Sequence, residues 1–205
     1  ELSPAERSVS LQAEIELGPT IRITASCSSS LWQDLFLKLQ TELQSLSTTG
    51  RFSVQALRPD LVVDTLKIPS VWTPGPNGIS LEGAFIFEDR DHARIDLHGY
   101  ADDLVLSRQD QKLMLSSPEL TLRADVTPRE YSLQVDRLSM DNPKTILSGQ
   151  MQFDRSAERT TFFVKGDRLD LTELRQRCRI LFAKARPVQK VLDIVQGGML
   201  SDLRL

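Results

Sequence analysis

Aromatic side chains are scarce in this 205-residue chain, at 6% of the total, and leave few large surfaces on which a flat ligand could stack. An excess of basic charge is missing too. The 25 Lys and Arg residues stand against 28 Asp and Glu, a net charge of -3, so nothing electrostatic calls for a nucleic-acid partner. Cysteine is nearly absent: Cys27 and Cys178 lie far apart, with no CxxC spacing for zinc or redox work. They are read as unpaired, mostly buried thiols, the alternative being a long-range disulfide in an oxidising compartment. No run of about 18 apolar residues occurs, so this piece is expected neither to span a membrane nor to carry its own signal peptide. It opens on Glu1 rather than Met, as expected of a processed or excised part of a longer protein whose anchor lies elsewhere.

The motifs of common chemistry are missing as well. There is no GxSxG elbow, Walker loop, GxGxxG or HExxH, so the chain is read as non-enzymatic, with no catalytic residue, metal ligand or cofactor site. His92 sits in a turn, and His98 shares a strand face with Arg94 and Asp96. Both histidines are expected to face solvent. Asp64, Asp102, Asp136 and Asp167 recur at strand ends, where carboxylates serve turn hydrogen bonds.

What the chain does contain is period-two alternation. "VSLQAEIEL" and "TIRITA", separated by Gly18-Pro19, predict a hairpin. In Leu31 to Leu46 the apolar residues Leu31, Leu35, Phe36, Leu39, Leu43 and Leu46 predict an amphipathic helix, with Ser30 as N-cap and Gly50 just beyond its end. Strands are predicted at Phe52–Leu57, Leu61–Ile68, Ile79–Glu88, Ala93–Tyr100, Leu104–Ser107, Leu113–Ser116, Leu120–Val126, Tyr131–Met140, Ile146–Asp154 and Thr161–Leu171. The turns between them suit an antiparallel meander, not βαβ units. The tail predicts helices over 172–185 and 188–195, broken at Pro187 and stopped at Gly197-Gly198, then a further strand at "MLSDLRL".

Two stretches of the strand region match each other at a period of about 66–72 residues. "LVVDTLKIP" falls on "LQVDRLSMDNP", "LEGAFIFEDRDHARIDLHG" on "LSGQMQFDRSAERTTFFVKG", and "DDLVL" on "DRLDL". Apolar positions are odd-numbered before Asp64 and Asp136 and even-numbered after, which predicts a bulge near each. An amphipathic sheet of this size needs a second sheet, helices or a greasy ligand on its dry face.

The segment "VDRLSMDNPKTILSGQMQFDRSAERTTFFVKGDRLDLTEL" and the tail ending in "DIVQGG" resemble the AsmA-like envelope proteins, including the TamB and YhdP-type branches. The likeness covers roughly residues 52–205. It implies a periplasmic part of an inner-membrane-anchored protein of a Gram-negative bacterium, whose curled β-sheet conducts phospholipid between membranes. The family has no catalytic residues to carry over. The fold expected is mostly β with a few helices: a long, curved, groove-like antiparallel sheet built from internal repeats, with an N-terminal-half helix and a C-terminal helical segment packed on it. The divisions are 1–51 (hairpin and helix), 52–116 and 117–171 (two β-repeat units) and 172–205 (helical segment and further strand).

Lipid acyl chains are expected to contact Leu81, Phe85, Phe87, Ile95, Leu97, Leu147, Met151, Phe153, Phe162 and Val164. A lid helix would carry Trp32, Leu35, Phe36 and Leu39, and the basic helix over 172–190 would offer a membrane-surface contact. Other segments of the same longer protein are the remaining partners expected. The alternative is a structural or protein-interaction β-domain of the envelope with a closed core and no ligand.

Overall fold

The computed structural model describes residues 9–67, 72–88, 91–108, 111–142, 144–170 and 198–204, together with 172, 173, 175, 176, 179 and 193. Along most of this length the alternation is satisfied by strands. Eleven of them form one antiparallel sheet in the order β1 (Ser10–Glu16), β2 (Thr20–Ser29), β3 (Trp32–Glu42), β4 (Ser47–Leu57), β6 (Ile79–Glu88), β7 (His92–Tyr100), β10 (Glu119–Val126), β11 (Glu130–Met140), β12 (Thr145–Asp154), β13 (Arg159–Asp170) and β14 (Met199–Arg204). A three-stranded sheet holds β5 (Thr73–Pro74), β8 (Asp103–Arg108) and β9 (Gln111–Ser116), and the helix α1 spans Pro59–Leu66. The main sheet does not close, since β1 and β14 do not pair with each other. At about 4.8 Å between strands it extends about 48 Å across.

Two sequence expectations are overturned. The lid helix predicted over Leu31–Leu46 is instead the strand β3 and the turn that leads into β4. Leu31, Leu35, Leu39 and Leu43 recur every four residues, a spacing that a helix and a strand both satisfy. Leu37 decides for the strand, because it completes the period-two set and pairs with Ala25 on β2 and Phe52 on β4. The converse error falls at 61–68, read as a strand. Its described part belongs to α1, where Pro59 sits in the first turn, Asp60 bonds Arg58 at 2.8 Å, and Lys67 ends the helix in a left-handed conformation. No bulge forms at Asp64 for that reason. At Asp136 there is one: Thr121 pairs with Arg137 and Leu122 with Val135, leaving Asp136 without an opposite number.

The helices predicted at 172–185 and 188–195, with the basic surface and Cys178, lie largely outside the described residues. "DDLVL" and "DRLDL" also part company. The first enters β8 of the small sheet, whereas the second continues β13 in the large one.

The connections are distributed unevenly. At one end of the large sheet the strands are joined by links of three or four residues, after β1, β3, β6, β10 and β12. All three long connections (58–78, 101–118 and 171–198) leave from the other end. The β8–β9 hairpin is rooted there through Ala101 N–H to Pro118 O (3.1 Å) and Ser117 N–H to Asp102 O (2.6 Å), and touches the β11–β12 turn through Ser116 and Asn142. Among the described residues the buried apolar side chains are Ala101, Leu113 and Leu169, all at this decorated end, with Thr145 beside them.

Candidate functional site

Residues opposite one another in an antiparallel pair share a face, so the registers decide what each face is made of. One rung runs Leu35, Val54, Leu81, Gly99, Leu120, Leu138, Leu147, Gly166 from β3 to β13. The next runs Leu37, Phe52, Gly83, Leu97, Leu122, Val135, Gly149, Val164. A third runs Leu39, Gly50, Phe85, Ile95, Ala124, Leu133, Met151, Phe162. These three rungs hold no polar side chain across eight strands. A fourth, toward the short-turn end, includes Phe87, Val126, Tyr131 and Phe153.

All ten residues singled out from the sequence therefore lie on one face, although β6–β7 and β12–β13 are separated by two strands. The hairpins share a register: Leu81 opposes Gly99 as Leu147 opposes Gly166, and Phe85 opposes Ile95 as Met151 opposes Phe162. The four lid residues are dispersed. Leu35 and Leu39 join the apolar face, and Phe36 points to the opposite one, in line with Ser53, Glu82 and His98. The Trp32 indole N–H donates to Cys27 O at 3.2 Å. Cys27, expected to be mostly buried, is a free and half-exposed thiol on the apolar face between Leu11 and Leu35.

Sequence reasoning missed Leu37, which fell inside the predicted helix, and did not single out Phe52 and Val54, although both lie in the predicted strand Phe52–Leu57. It also missed the use made of glycine. A Cβ on Gly83 would lie 2.8 Å from the Phe52 ring, and one on Gly50 would overlap the Phe85 ring, so each aromatic lies over the glycine opposite it.

This face is unevenly covered. Toward the decorated end Leu81, Leu97 and Leu147 are half-buried, while toward the short-turn end Phe87 is 44% exposed, Met151 43% and Phe162 70%. Tyr131 and Phe153 stack there with centroids 6.1 Å apart, and the Arg155 guanidinium sits 4.0 Å over the Tyr131 ring. The described residues thus form an extended amphipathic sheet whose dry face is only partly roofed. Such a surface can remove hydrocarbon from water.

The opposite face is polar. His92 and His98 lie on it among carboxylates and arginines of β6, β7 and β10. No protein-family model, curated protein or solved structure matches the chain.

Proposed function

We propose that this chain is a non-enzymatic segment of an AsmA-like envelope protein, and that its apolar sheet face is a groove that binds or conducts phospholipid acyl chains between membranes. The observation that carries the reading is the run of three wholly apolar rungs, eight strands wide, with side chains half-exposed or more at one end. An uncovered surface of that extent marks an interaction site. The equal registers of β6–β7 and β12–β13 support a repeated hairpin as the unit from which such a groove is assembled. The mechanism is passive: each acyl CH₂ removed from water supplies about 0.8 kcal/mol, and no bond is made or broken. A periplasmic setting follows from the same resemblance.

Native mass spectrometry of the purified chain, with extraction and identification of any retained lipid, tests this. Phospholipid should co-purify, and the pair of substitutions Met151→Glu and Phe162→Glu should leave the fold intact by circular dichroism while abolishing retention. A chain that retains no lipid, or retains it equally well with both substitutions, is instead the structural or interaction domain.

A further inference from the structure

The polar face carries its own device, independent of what the apolar face binds. β7 and β10 are neighbours in the sheet but are not joined by a tight turn, because the chain between them departs to form β8 and β9. Their seam is crossed by a ladder of charge pairs: Arg94 to Asp125 at 2.8 Å, Arg123 to Asp96 at 2.6 Å, and one imidazole near each end. His98 is placed with Nδ1 3.0 Å from Glu82 on β6 and Nε2 3.1 Å from Glu119 on β10. A neutral imidazole has one N–H. Both contacts are hydrogen bonds only when the ring carries two protons, and otherwise one nitrogen lone pair faces a carboxylate.

We propose that Glu82, His98 and Glu119 form a proton-controlled clasp that holds β6, β7 and β10 together on the polar face and loosens the β7–β10 seam when His98 loses a proton to water. The surrounding groups fit this role. Glu119 also accepts from the Ser139 hydroxyl on β11 at 3.3 Å and lies 3.7 Å from Arg137, so it stays ionised. On β7 the nearest groups are Tyr100, its ring 5.6 Å from that of His98, and Asp96, already engaged by Arg123. At the far end His92 lies 3.3 Å from both Glu88 and Asp125. The hydrogen bond from His98 to Glu82, followed by that to Glu119, holds the imidazole above its ordinary value against an opposing desolvation effect. A raised histidine value means that the clasp's contribution is complete below about pH 6.5 and is lost as pH rises through the folded-state value. Because the β8–β9 hairpin is rooted on the same two strands, at Ala101 and Pro118, a loosened seam also releases the hairpin's footing.

Hydrogen exchange, corrected for the intrinsic pH dependence of amide exchange, reads this directly. Between about pH 5.5 and about pH 9, amide protection at the β7–β10 seam should fall by about threefold relative to the histidine-free β2–β3 seam, the scale of one part-exposed charge pair. His98→Gln should set the ratio near its alkaline level at every pH. Glu119→Gln should lower the His98 midpoint in an NMR titration. A ratio that is flat with pH in the unaltered chain overturns the proposal. So does a His98 titration that leaves the β10 amide resonances unmoved, and this readout needs no variant to fold.

Discussion

If the apolar face is open, a large side chain on it can be removed at little cost to stability. Phe162 is the sharpest case, because it closes an apolar rung at its β13 end and is 70% exposed. Full burial of a phenylalanine is worth about 1.5–3 kcal/mol, so the remaining third or so accounts for about 0.5–1 kcal/mol. Phe162→Thr, which replaces one good strand former by another, should therefore destabilise by about that amount. Leu113→Ala is the internal reference: Leu113 is fully buried at the decorated end and should cost about 2–5 kcal/mol. Urea denaturation followed by circular dichroism gives both values, with the slope of the transition checking that each variant unfolds from the same state. A loss of about 2 kcal/mol or more for Phe162→Thr would mean that something covers the residue, and the open-face reasoning would fall. Saturating phospholipid should widen the gap between Phe162→Thr and the unaltered chain, since a ligand stabilises only the state that binds it.

Two further substitutions probe the packing. Gly83→Val should cost about 1–3 kcal/mol, because the new Cβ would meet Asp96 O at 2.7 Å and the Phe52 ring at 2.8 Å; Gly18→Ala, whose Cβ would have only Thr20 O at 3.7 Å, should stay within about 0.5 kcal/mol by thermal or urea unfolding. Thr145→Val should stabilise by about 1 kcal/mol, since the Thr145 hydroxyl is fully buried without a hydrogen-bond partner among the described residues; a lower urea midpoint for this variant would show that the hydroxyl is satisfied after all.

How far the local pattern could be trusted depended on how many periods a segment could satisfy. Ile79–Glu88 and Thr145–Asp154 alternate over ten residues, a length at which helical spacing fails, and both are strands. Leucines spaced by four in 31–43 fit two periods, and the short apolar run at 61–68 fits either, so both were misread. In each the deciding fact was non-local for the strand and positional for the helix: Leu37 has partners on two neighbouring strands, and Pro59 presets the first turn of α1.

By itself the sequence determined the composition of a dry face, because side chains at odd and even positions of a strand must point to opposite sides whatever the partner. It also located the parity change at Asp136 before any pairing was known. Only the tertiary structure decided that β10, not β8, lies beside β7, that the long connections gather at one end, and that the other end is left exposed. Alternation is a property of one strand, whereas a sheet's order, its edges and its cover depend on which hydrogen-bonding partner each strand finds across the chain.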